Sequence, residues 1–205
     1  MAEGIEVLHT LFLNRENELR SGWRVLAFAL LFLAMLLTIE GLLSSLGAVS
    51  PRMLELTQEP SPSVPTSEVR VLSVGISRAI MLVVALAASA ICARVLEHRS
   101  FGSIGYRFHA GWKRDFLLGL LLGTASLAFV VLISYAAGAV AFSVLTSDPG
   151  LWLKRFLILA FVFLVGAAYE EVLTRGFAFQ ALHHNLGAIP ALLITSTAFG
   201  LLHLG

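Results

Sequence analysis

Cysteine is almost absent and charge is scarce. The single Cys92 excludes a disulfide within the chain and any metal site built on thiolates, and its place inside an apolar run gives it the role of a small buried hydrophobe. Fourteen Lys and Arg against thirteen Asp and Glu leave a formal charge of +1. The basic residues gather at the borders of apolar runs rather than in a stripe, so the chain offers no nucleic-acid partner. Proline is nearly confined to one place. Pro51, Pro60, Pro62 and Pro65 stand among Ser, Thr and Glu, which makes residues 50–68 an exposed loop that cannot sustain a helix. What remains is apolar: 58% of the residues are hydrophobic and mean hydropathy is +0.87. This excludes a soluble domain and predicts an all-α polytopic bundle of about five transmembrane helices.

Residues 1–22 are mixed in charge and suggest a short surface helix rather than a signal peptide, because the apolar stretch that follows, 23–49, is too long and carries Glu40. A second membrane helix is expected over 70–95, with Arg78 near its start at the depth of Glu40, where the two can pair. The connection 97–114 holds Arg99, Arg107, Lys113 and Arg114. Together with Arg15, Arg20 and Arg24 it biases the N-terminus to the cytoplasm, against a minority signal from Lys154 and Arg155. Residues 115–145 form the third helix, whose Gly119-x-x-x-Gly123 reads as a packing surface, with self-association the lesser reading. A turn at 147–150 leads into helix four, expected to run from 151 to about 184, and helix five rises from about 189.

Chemistry concentrates in 166–205. Glu170 and Glu171 follow an apolar run, and a pair of carboxylates at that depth is costly unless paired or used. Arg175 lies four residues after Glu171, one helical turn, so the two share a face and leave Glu170 to point elsewhere. Gly187 can end one helix and Pro190 suits the first turn of the next. Seventeen residues run from Glu170 to Leu186 and seventeen from Gly187 to His203. In a hairpin of two straight helices both side chains would stand roughly 25 Å from the turn and meet. A kink at Gly176 would shift that register. A carboxylate and an imidazole that converge can bind a metal or deprotonate a water. His183 and His184 fall beside the turn and stay outside the site, and Phe199 and Tyr169 are expected to shape its pocket.

Glu170-Glu171-x-x-x-Arg175-Gly176, followed by Phe199-x-x-x-His203, resembles the first two motifs of the CPBP family of intramembrane proteases, also called the CAAX prenyl endopeptidase or Abi family. The likeness covers best the region from about Trp152 onward. It implies that Glu170 activates water, that Glu171 and Arg175 support it, and that His203 orients the water or binds a metal. Where a metal is used, Zn2+ on Glu170 and His203 is the implied cofactor, one protein ligand short of the usual three. The family's third motif, a His followed four residues later by Asn or Asp, has no counterpart before Gly205, and the expectation is a fragment of a longer protein.

The expected function is an intramembrane endopeptidase acting on membrane-associated peptides, with membrane lipid and a peptide or protein substrate as partners. The alternative is a non-catalytic membrane binding or immunity protein that keeps the fold without turnover. A transport or scaffold subunit is disfavoured, since no paired half-repeat or broken helix suggests a substrate path. The expected division is a cytoplasmic segment 1–22, scaffold helices 23–145 and an incomplete catalytic hairpin 151–205, in the plasma membrane if the protein is bacterial.

Overall fold

The computed structural model describes residues 11–14, 18–46, 68–105, 108–143 and 147–204. Most of the Pro-rich loop 50–68 and of the segment 1–22 lie outside the described residues. In chain order the helices are α1 (Ser21–Ser45), α2 (Glu68–Leu96), a 3-10 turn (Phe101–Ile104), α3 (Trp112–Ala136), α4 (Pro149–Arg175), α5 (Phe177–Leu186) and α6 (Ala188–Leu202). Helix satisfies every backbone group internally, the condition for crossing lipid. Twenty-five residues of α1 rise about 37 Å, more than a bilayer core of roughly 30 Å. Four helical stretches are long and apolar enough to cross a membrane: α1, Arg70–Leu96, α3 and Pro149–Leu186; α6 is a shorter apolar helix. The all-α polytopic bundle is therefore observed, and the chain is an integral membrane protein.

Contacts divide the chain into two compact units, one of Met1–Tyr106 with Arg155–Gly205 and one of Arg107–Lys154. In the first, α1 packs against α2 and α5, and α5 packs against α6. The buried face of α2 is built from Val84, Ala85, Ala88, Ser89, Cys92 and Ala93. Small side chains at helical spacing let backbones approach closely, which matters in lipid because apolar burial there gives little drive between helices. Cys92 thus takes the expected role. Phe28 of α1 meets Phe177 of α5 with ring centroids 5.6 Å apart, and Phe177 is fully buried.

A polar junction closes the same end. Arg24 at the start of α1 is 4% exposed in its side chain and spends its guanidinium on three acceptors. These are Leu19 O at 2.6 Å, Glu97 Oε1 at 3.1 Å and Glu18 Oε2 at 2.9 Å. Glu97, 2% exposed, lies just past the end of α2, so one ion pair ties the two helices and the chain before α1 together. Trp23 Nε1 donates to Leu11 O at 3.0 Å and pins that leading segment from the other side.

Elsewhere the structure differs from the sequence reading. Oε1 of Glu40 is buried without a hydrogen-bond partner among the described residues, and Arg78 places its guanidinium 5.6 Å from the centre of the Tyr169 ring. Glu68, counted above with the Pro-rich loop, begins α2 and lies 3.5 Å from Arg155 of α4. The close helix approach comes at Gly75, where a Cβ would stand 2.8 Å from Phe161 and 2.9 Å from Val162 of α4. A Cβ on Gly119 or Gly123 meets nothing within 4 Å.

In the second unit, α3 buries none of its residues. Helix α4 begins there. Asp148 Oδ1 accepts from Gly150 N at 2.8 Å, and Pro149 occupies the first helical position, where a missing N–H costs nothing.

Candidate active site

Helix four is not one straight element. Gly176, with ψ of −122°, leaves the helical region between α4 and α5, although Gly176 N still donates to Val172 O at 3.1 Å. The assumption of two straight arms therefore fails, and with it the equal count on either side of the turn. The turn itself is where the sequence puts it. Gly187 adopts φ +84° and ψ 174°, a region that glycine alone enters readily, and Pro190 falls in the first turn of α6.

Three residues expected in the site come together on α4. Arg175 Nη1 donates to Glu171 Oε2 at 2.5 Å, one turn apart, with both side chains 56% exposed. Glu170 is half-buried, and its carboxylate makes no hydrogen bond or ion pair among the described residues. Its backbone carbonyl accepts from Thr174 Oγ1 at 2.7 Å. These side chains face a cavity of about 220 Å3 whose other wall is α6, lined by Thr195, Ser196 and Phe199.

His203 does not line this cavity. It caps the end of α6, and its ring is 4.3 Å from that of Phe199 between centroids. Nδ1 of His203 lies 2.8 Å from Phe199 O. Because a carbonyl only accepts, Nδ1 carries the hydrogen, which leaves Nε2 as the lone-pair nitrogen of the neutral ring. His203 thus touches Phe199, which itself lines the cavity. Tyr169 is directed away from the cavity, toward Phe32, whose ring centroid is 6.4 Å away. His183 stacks on Phe179 at 5.8 Å and His184 contacts Asn185 Oδ1 at 3.1 Å, both beside the turn.

Thr174, Thr195 and Ser196 were not singled out from the sequence. Thr195 and Ser196 stand four and three residues before Phe199, the helical spacing that shares its face. Counting back from Phe199 would have found them. For a metal, among the described residues no three His, Cys, Asp or Glu gather as ligands. The donors among the described residues do not make up a three-ligand zinc site.

Against known proteins, residues 151–205 match the Rce1-like family model, described as type II CAAX prenyl endopeptidase. The match spans both carboxylates, Arg175, Phe199 and His203. This segment of the chain is thus similar to the type II CAAX prenyl endopeptidases. No curated protein and no solved structure matches the chain.

Proposed function

We propose that this chain is a CPBP-type intramembrane endopeptidase that hydrolyses peptide bonds of membrane-associated substrates of the CAAX type through water activated by Glu170. One observation carries the reading: a half-buried, unpartnered carboxylate on the wall of a cavity, beside a second carboxylate already held by arginine. Two adjacent anions resist sharing one site. With Glu171 compensated by Arg175, Glu170 faces less repulsion and is left to accept a proton from a water hydrogen-bonded to it. The resulting hydroxide attacks the peptide carbonyl, and the proton passes on to the leaving nitrogen as the C–N bond breaks. Phe199 closes the cavity on the α6 side and holds His203 one turn beyond it. In this reading His203 positions the incoming substrate or water from the rim, through its Nε2.

The test is cleavage of a prenylated CAAX peptide by the purified chain in proteoliposomes. E170Q keeps the size of the side chain and removes the base, so turnover should fall about 10²–10⁴-fold. An E170Q protein that cleaves at the wild-type rate sinks the assignment. A wild-type protein that binds the peptide and leaves it intact supports instead the reading of a binding protein without turnover.

A further inference from the structure

Helix α4 presents two faces, and the helical repeat decides which residue belongs to which. Consecutive side chains diverge by about 100°, so Val162, Tyr169 and Leu173 fall within about 40° of one another, while Ala167, Glu170, Glu171 and Thr174 lie roughly 100–200° away from Tyr169. The second set lines the cavity. The first set faces the packed helices. Val162 stands against Gly75 of α2, Leu173 packs on the core cluster that contains Phe28 and Phe177, and Tyr169 meets two neighbours at once. Its ring centroid is 6.4 Å from that of Phe32 of α1 and 5.6 Å from the Arg78 guanidinium of α2. Val162 and Leu173 make apolar contacts of a kind that lipid tails also supply, so they resist a turn of α4 about its axis only weakly. The Arg78 contact differs. Arg78 lies within the span Arg70–Leu96, where a cation is costly without a partner, and a hydrocarbon tail cannot replace the negative face of an aromatic ring.

We propose that Tyr169 is a positioning residue for the hydrolysis: Arg78 and Phe32 hold its ring, the ring fixes the rotation of α4, and that rotation aims Glu170 into the cavity. This rests on the reading of Glu170 as the base. Tyr169 directly precedes Glu170, so it acts at the level of the carboxylate with no residue between them to absorb a twist. The lever is sensitive. A side chain that ends about 6 Å from the helix axis moves about 1 Å when the helix turns by about 10°, and a misplacement of about 1 Å at the reacting groups costs about 10²-fold in rate. Tyr169 itself touches neither the water nor the peptide. Its loss therefore falls on kcat, through Glu170, and leaves KM little changed.

The experiment compares wild type, Y169F, Y169L and E170Q in proteoliposomes with a prenylated CAAX peptide, measuring kcat and KM separately. Y169F keeps the ring and should cleave close to the wild-type rate, whereas Y169L should lower kcat by about 10²-fold. A second measurement does not need turnover. In a C92A background, which removes the single native thiol, E170C is labelled with a water-soluble maleimide. The reagent takes the thiolate and so reports a side chain that faces water in the cavity rather than lipid. Adding Y169L should remove most of the labelling rate and adding Y169F should not, and R78M carries the same comparison if Y169L yields no folded protein. The proposal is overturned by Y169F as damaging as Y169L, by Y169L turnover equal to wild type, or by labelling at position 170 indifferent to Tyr169 and Arg78. A wild type that leaves the peptide intact, or E170Q that cleaves at the wild-type rate, tells against the Glu170 reading alone, and the labelling then judges Tyr169.

Discussion

The chain on either side of Gly176 lives in opposite surroundings. After it, α5 buries Phe177, Ala178, Ala181 and Leu182 within ten residues. Before it, α4 buries Val172 alone in twenty-seven residues, and carries the carboxylates. The packed side is a support whose polar groups are mostly spoken for: α1 braces α5 through Phe28 and Phe177, and Arg24 locks α1 to the end of α2. The open side has an ion pair and a carboxylate that is unpartnered among the described residues, both facing a cavity. A single glycine thus separates the packed α5 from the helix that carries the carboxylates, and Gly176 N still donates to Val172 O across the break.

Breaking the packed side should give the largest change in stability. R24A leaves Glu97, 2% exposed, with only Arg99 Nη1 at 3.5 Å as its cation among the described residues, a loss at the lower end of the about 3–5 kcal/mol that stripping a buried ion pair of one partner costs. R24K keeps the charge and should recover only part, because one ammonium cannot match the fork that reaches Leu19 O, Glu18 and Glu97 together. Reversible unfolding in mixed detergent micelles reads both. If R24A unfolds at the wild-type midpoint, the junction is ornamental and α5 is held by apolar contact alone.

How much of this was legible beforehand follows the same division. The long helices were, because runs such as 23–49 and 70–95 have no alternative in lipid to internally bonded backbone. So was the turn, because Gly187 and Pro190 act through their own backbone chemistry. The Glu171–Arg175 pair was legible too, since one turn fixes it locally. What escaped were long-range facts. The Arg24–Glu97 pair spans 73 positions, and spacing rules end at the helix that carries them. The break at Gly176 was foreseen only as a condition. Whether a glycine interrupts a helix depends on what its neighbours bury, here Phe177. Once the arms were not straight, a count that assumed them straight put His203 where Thr195, Ser196 and Phe199 stand. Tyr169 was misplaced for a related reason: a residue next to a motif was given the motif's face, whereas consecutive side chains on a helix diverge by about 100°.

Glycines sharpen the comparison at intermediate size. G75A drives a methyl to 2.8 Å from Phe161 and 2.9 Å from Val162, and overpacking of that kind costs about 1–3 kcal/mol. G119A and G123A meet nothing within 4 Å and should stay within about 0.5 kcal/mol of wild type by the same unfolding assay. Equal effects at Gly75 and Gly119 would mean that α3 is covered in the membrane by something as close as Phe161 is to Gly75.

The smallest effect is expected where the packed junction meets water. Glu18 holds the outer side of Arg24, and the hydrogen bond from that guanidinium keeps its carboxyl below the ordinary value of 4.5, against a lesser upward push from desolvation. A carboxyl whose affinity for protons is lower in the folded chain than in the unfolded one stabilises the fold at pH above the unfolded value. That contribution is lost as pH falls through the lower, folded value. The junction should therefore hold unchanged from neutral pH down to about 4.5 and loosen below it. The loosening should be read as faster amide exchange in the segment before α1, where Asn14 N donates to Glu18 O at 2.8 Å and Arg20 N to Phe12 O at 2.9 Å. E18Q should exchange at neutral pH as the wild type does in acid, with no further acid step of its own. An acid step of full size in E18Q would move the titration to another group.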